Sequence, residues 1–167
     1  MTLRVSDTIT FPQKSGQLEL HNHLANGSTN TSKFKFDKVF SDTDDQESVF
    51  RSVQGVVKSA LDGHNVCIFA YGQTGSGKTF TMQGPEGANV RDRTEVEERG
   101  IVPRAVQMIF DTLEQRKTYG KQVSFSVTMS CFEIYIETVR DLLKPENTMN
   151  QNTNLSKWKP VEVNVQS

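Results

Sequence analysis

With 167 residues, 19 basic against 20 acidic side chains and a formal charge of −1, the chain can bury one core, and nothing in it suggests two. That balance gives no electrostatic case for nucleic acid or an anionic membrane as partner. No apolar run approaches the roughly 20 residues of a membrane span and no signal-peptide stretch opens the chain, so a soluble, intracellular protein is expected, with Cys67 and Cys131 as small buried hydrophobes in a reducing compartment.

Residues 1–33 are polar and punctuated, with short strands predicted at Thr8–Phe11 and Leu18–His21 and a hairpin turn at Lys14-Ser15-Gly16-Gln17. Ala25–Ser32, rich in Asn, Ser and Thr, reads as an exposed loop, and Phe34 to Phe40 as a short half-buried strand. A helix follows. Thr43, Asp44 and Asp45 offer N-caps, and Glu47 puts negative charge in the first turn. Val49, Phe50, Val53, Val56, Val57, Ala60 and Leu61 recur on one helical face, and Gly63 is placed to end it.

The apolar run Val66-Cys67-Ile68-Phe69-Ala70-Tyr71 reads as a buried parallel strand, and it leads directly into Gly72-Gln73-Thr74-Gly75-Ser76-Gly77-Lys78-Thr79. That octapeptide is a P-loop, G-x-x-x-x-G-K-[ST], whose glycines let backbone N–H groups curl around a phosphate. Lys78 would supply a mobile cation for the β- and γ-phosphates, and the Thr79 hydroxyl would bind Mg²⁺. A chance glycine turn of this pattern is roughly a one-in-a-hundred event in a chain of this length. Helix, strand, P-loop and helix in that order form a piece of an α/β nucleotide-binding fold.

Gln83 to Arg99 reads as a long charged surface loop. A second long helix is predicted to open near Pro103, with Val102, Val106, Ile109, Phe110 and Leu113 on its apolar face and Gly120 closing it. Residues 122–136 form the longest strand candidate. Its apolar phase shifts at Cys131, which predicts a bulge or strong twist there. From Lys144 to Ser167 only Val161–Val165 resembles a strand.

Several segments together resemble the kinesin motor domain. They are Phe36-Asp37-Lys38-Val39-Phe40, Gly63-His64-Asn65, Ile68 to Met82, Gly100-Ile101-Val102-Pro103-Arg104-Ala105, Phe132-Glu133-Ile134-Tyr135 and Val139-Arg140-Asp141-Leu142-Leu143. The resemblance covers residues 34–143, leaving 1–33 as a polar N-terminal segment and 144–167 as a poorly matching tail. Ser59 to Gly63 and Glu137 to Asp141 look most like the kinesin-14 group, the C-terminal, minus-end-directed motors. The resemblance implies an α/β P-loop NTPase fold, a central mixed β-sheet flanked by helices, incomplete in this chain. It implies ATP and Mg as ligands and a microtubule-based ATPase cycle in the parent protein. Microtubules would be the partner, through parental regions largely missing here, with dimerisation through a coiled coil outside the chain. Cytoplasm and microtubule cytoskeleton are the implied location. Gly72, Gln73, Thr74, Gly75, Ser76, Gly77, Lys78 and Thr79 carry over as the phosphate cradle, and Phe80 falls where the family sets a His or aromatic residue against adenine. A plain core role for Phe80 stays open beside that one.

The departures matter as much. The family's Arg-x-Arg-Pro is not matched where Leu3-Arg4-Val5 is followed by Ser6-Asp7-Thr8, and Ile136 stands where Asn is usual. Neither the Asn-x-x-Ser-Ser-Arg-Ser-His switch nor the Asp-x-x-Gly-x-Glu switch occurs, so no catalytic residue is expected in the chain. Glu133 is the sole acid inside the long strand and reads as a solvent-facing or interface residue, while Asp111 and Asp141 read as lying in or beside helical patterns. Without charge stabilisation at the transferring phosphoryl group, hydrolysis at a motor's rate is not expected of these residues alone. The expectation is therefore the nucleotide-binding half of a motor, from a sequence fragment, a truncated isoform or a mis-assembled gene model. The alternatives are a short non-motor nucleotide-binding or regulatory module derived from a kinesin, and an unrelated P-loop enzyme, which the flanking matches disfavour.

Overall fold

The computed structural model describes residues 9–11, 16–23, 27–85, 96–118, 125–136, 138–143, 153–154 and 163–166. The chain forms two compact units, residues 1–109 and 110–167. Leu3 to Thr8, where the family's Arg-x-Arg-Pro is not matched, the turn residues Lys14 and Ser15, Ala25, most of the loop after Gln83, Gly120 and most of the tail lie outside the described residues.

The first unit opens with an antiparallel sheet in the order β1 (Ile9–Thr10), β2 (Gln17–His23), β3 (Thr29–Lys35). Half of the stretch read as an exposed Asn/Ser/Thr loop, residues 29–32, is thus in strand β3, and the strand expected over residues 34–40 ends at Lys35. The reason is cross-strand pairing. His21 faces Thr31 and His23 faces Thr29 in the register, and Thr31 Oγ1 and Thr29 Oγ1 each lie 3.0 Å from the Nδ1 of their histidine. Thr10 Oγ1 meets His21 Nε2 at 2.8 Å, so one imidazole bridges all three strands. Hydroxyl–imidazole pairs, with the Glu19–Lys33 ion pair at 2.8 Å, stabilise a strand whose composition is turn-like.

Helix α1 spans Gln46–Leu61. Of the three candidate caps Asp45 is the one used: its Oδ1 accepts the Ser48 N–H at 2.7 Å. Asp44 instead accepts the Ser41 N–H at 2.7 Å and closes the preceding turn. At the other end Gly63 N–H donates to Ala60 O at 3.0 Å and His64 N–H to Ser59 O at 3.1 Å, the paired bonds of a Schellman stop. Gln46, Phe50 and Val57 are buried at positions i, i+4 and i+11, whereas Val56 is exposed. Burying Phe50 and Val57 stabilises the unit by about 1.5–3 kcal/mol each.

Residues 66–71 do not form the expected strand. They run without a ladder partner among the described residues, and Phe69 and Tyr71 are 81% and 91% exposed. A strand exists only through a neighbour that takes its N–H and C=O groups, and apolar composition cannot supply one.

Helix α2 (Lys78–Gln83) follows, and its C-terminal end is met by Gly100, whose N–H donates to Gln83 O at 3.2 Å. A Cβ on Gly100 would stand 2.5 Å from Met82 C and 2.6 Å from Gln83 N, so only glycine allows this approach. Helix α3 (Ile101–Thr118) begins immediately afterwards, two residues before Pro103, and the chain passes from the first unit to the second within it. Its inward residue is Ile101, 5% exposed, while Val102 and Val106, expected on the apolar face, are 45% and 43% exposed.

In the second unit the long strand predicted over 122–136 is two strands, β4 (Ser126–Met129) and β5 (Phe132–Tyr135). They separate at Ser130-Cys131, where the apolar phase shifts. Strand β4 pairs antiparallel with β8 (Val163–Gln166), close to the predicted strand at Val161–Val165. Strand β5 turns back on β6 (Thr138–Asp141), which also pairs β7 (Thr153–Asn154). Every described ladder is antiparallel. The β5–β6 turn puts Ile136 at φ 46°, a left-handed conformation that costs a β-branched residue roughly 1–2 kcal/mol and that Asn accepts more readily. Asp141 therefore belongs to a strand rather than to a helical pattern; it is 6% exposed, and its Oδ1 accepts the Leu143 N–H at 3.0 Å. No helix among the described residues is long and apolar enough to cross a membrane.

Three outcomes are expected. Gly100→Ala should destabilise the chain by about 1–3 kcal/mol in urea denaturation, because backbone rather than a side-chain tip must move. Gly55→Ala, where an added Cβ meets nothing within 4 Å, should stabilise mid-α1 by about 0.5–1 kcal/mol. The Ser48 hydroxyl and N–H hold Asp45 below its ordinary carboxylate pKa of 3.8. Its contribution is therefore complete above that value and is lost as pH falls through the lowered folded value. Asp45→Asn keeps a cap that does not titrate, so the acid-side loss of helicity in far-ultraviolet circular dichroism should shrink in that variant.

Candidate nucleotide-binding site

The loop from Gly72 to Thr79 turns sharply between the extended segment and α2. Gly75 and Gly77 take φ values of 79° and 87°, and Ser76 N–H closes the turn on Gln73 O at 3.2 Å. With a side chain at position 77, the residue entering α2 could not adopt this left-handed geometry without strain. The first i→i−4 bond of α2 is Thr81 N–H to Gly77 O at 2.9 Å. The N–H groups of Lys78 and Thr79 precede that bond and are donors the helix leaves over, and Gly77 offers no side chain to cap them.

Lys78 folds back over the loop. Its Nζ donates to Gly72 O at 2.9 Å and to Gln73 O at 2.7 Å, so the ammonium sits on the loop whose donors are left over. An anion brought there would give the ammonium a charged partner in place of two neutral carbonyls. Thr79 lies exposed on the next position, within the same turn. All eight loop residues expected from the motif thus form one continuous structure. Phe80 is 51% exposed on α2, so its ring is not a core residue.

Among the described residues no group of three or more His, Cys, Asp or Glu gathers to hold a metal ion. Glu133 is exposed and paired with Arg140 at 3.3 Å. Asp111 is exposed on α3.

The residues that hold the loop's helix were not singled out from the sequence. Gln46, 8% exposed, donates from Nε2 to Phe80 O at 2.7 Å, beside the Gly84 N–H, which reaches the same oxygen at 2.9 Å. Its neighbour Glu47 pairs with Arg104, whose Nε and Nη2 donate to Arg99 O at 2.7 Å and Glu97 O at 2.6 Å. One signal was available: Gln46 stands in phase with Phe50, Val53 and Val57, a polar residue on the buried stripe of α1.

A family model of the kinesin motor domain matches residues 3–166. The chain is 46% identical over 142 residues to "Carboxy-terminal kinesin 2" of Xenopus laevis, covering 81% of this chain and 21% of that protein. It is 40% identical over 143 residues to "Kinesin-like protein KIN-14P" of Arabidopsis thaliana, covering 86% of this chain and 13% of that protein. Among solved structures, the Drosophila kinesin family member NOD in complex with divalent manganese and ADP aligns with a TM-score of 0.69 at 26% identity, over 93% of this chain and 50% of NOD. NOD has also been solved with AMPPNP and docked with bovine tubulin into a map of its nucleotide-free complex with the microtubule. The chain therefore spans half of the solved motor it matches and a far smaller share of the curated relatives. The P-loop, the fold it shares with a solved motor and the match along nearly its whole length agree: this chain belongs to the kinesin motor-domain family, with kinesin-14 relatives at 40–46% identity.

Proposed function

We propose that this chain binds ATP with Mg²⁺ through Gly72–Thr79 and forms the nucleotide-binding part of a microtubule motor. The observation that carries the reading is Lys78 lying across Gly72 O and Gln73 O beside the leftover N–H groups at the start of α2. In this reading those N–H groups hold the phosphate oxygens, Lys78 transfers its ammonium from the two carbonyls to the β- and γ-phosphates, and the Thr79 hydroxyl holds the metal. Bound Mg²⁺ neutralises charge between the terminal phosphates. Phe80, exposed one residue further on, lies against the base. The nucleotide, metal and microtubule complexes of NOD support the same ligands and partner for this chain. The microtubule cytoskeleton is then its place of work.

Hydrolysis is assigned to the parent motor rather than to these residues. The sequence contains neither family switch, and a P-loop without them binds nucleotide but lacks the groups that stabilise the transferring phosphoryl.

Calorimetric titration with ATP and Mg²⁺ tests the binding reading. Lys78→Ala should weaken binding by roughly ten- to a hundredfold, the worth of one or two hydrogen bonds to a charged group. Affinity unchanged in that variant would remove the P-loop from the account. A steady-state assay tests the division of labour: phosphate release by this chain should stay at background with and without microtubules, and stimulation by microtubules would sink that part of the proposal.

A further inference from the structure

We infer that Gln46 is a positioning residue for Phe80, and through it for the base of the bound nucleotide. The inference rests on the nucleotide reading above and extends it to a side chain outside the P-loop. Gln46 is one of two buried polar side chains among the described residues, and its carboxamide spends a donor on the Phe80 carbonyl at 2.7 Å. That carbonyl already accepts the Gly84 N–H at 2.9 Å, so helix closure alone had satisfied it. A second donor on a satisfied oxygen fixes where the oxygen points, and with it the Cα–Cβ direction of the same residue.

The need for such a bond follows from the helix. At six residues α2 is far below the length at which a helix holds itself together in water, and Phe80 is its third residue. Phe80 is 51% exposed, so packing covers it only in part and its backbone direction matters for where the ring lies. Gln46 can act as that anchor because its own helix is held. Asp45 caps α1 immediately before it, and Glu47 immediately after it is tied to Arg104, which in turn grips Glu97 O and Arg99 O. Phe50 and Val57 bury the same face of α1. The loop residues that meet phosphate precede Phe80 and are held by their own bonds, Lys78 to Gly72 O and Gln73 O and Ser76 to Gln73 O. Gln46 therefore acts on the base end of the ligand and not on the phosphate end.

Gln46→Met keeps the length and packing of the side chain and removes the donor. ATP with Mg²⁺ and inorganic tripolyphosphate with Mg²⁺ are titrated separately into the wild-type chain and the variant. The expected result is about tenfold weaker ATP binding with tripolyphosphate affinity unchanged within twofold. In a Phe80→Ala background the same substitution should cost no further ATP affinity, a non-additivity that a general loss of structure would not produce. Gln46→Leu, also without a donor, gives a second variant should the methionine chain fold poorly, and the same selective loss is expected. Equal loss for both ligands, no loss for either, or additive losses with Phe80→Ala would overturn the inference. A wild-type chain that binds tripolyphosphate and ATP equally well overturns it while leaving the phosphate site standing. A wild-type chain that binds neither removes the nucleotide reading and this inference together.

Discussion

The approach of Gly100 to the end of α2 is the constraint from which the first unit takes its order. Backbone meets backbone there, and the gap admits no Cβ. The contact brings the chain after the charged loop back to the P-loop helix, and α3 starts at the next residue. A six-residue helix has almost no stability of its own, so its ends must be determined from outside. Gly100 N–H on Gln83 O determines one of them, and the glycine turn at Gly75 and Gly77 determines the other. The first turn of α1 completes the arrangement, with Gln46 reaching into α2 and Glu47 reaching to Arg104. The phosphate loop is thus carried by a short helix that three other segments hold in place.

What could be read from the sequence depended on whether the deciding interaction was local. Helix α1 was legible because its cap, apolar stripe and glycine stop all lie within twenty residues of one another. Even there, the choice of Asp45 over Asp44 was decided by a competing turn at Ser41. The P-loop was legible for the same reason, its glycines and lysine forming one contiguous turn. Strand β3 was not, because its residues favour turns and become a strand only through histidines on β2. Residues 66–71 failed in the opposite sense: with no neighbouring strand among the described residues, strong strand composition is only an extended segment. The break at Ser130-Cys131 was foreshadowed by a phase shift, but the hairpin it leads to was not, since Ile136 is a poor turn residue by every local rule.

The candidate site divides in the same way. The groups that would touch phosphate are adjacent in sequence and were named from it. The pairs that brace the helix behind them, Gln46 with Phe80 and Glu47 with Arg104, are separated by 34 and 57 positions and appear only once the chain is folded. Gln46 could have been suspected from its place on the apolar stripe. Arg104 was marked only as part of the matching segment Gly100 to Ala105, with nothing in the sequence to pair it with Glu47.

The two bonds from Lys78 to the loop carbonyls also set a threshold for what the cradle accepts. Affinity there is an exchange, since each partner gained by the ammonium replaces one it already had. On the proposed nucleotide reading a ligand must therefore offer the ammonium more than those two carbonyls do, and a run of phosphates that also meets the leftover N–H groups would be favoured over a single phosphate.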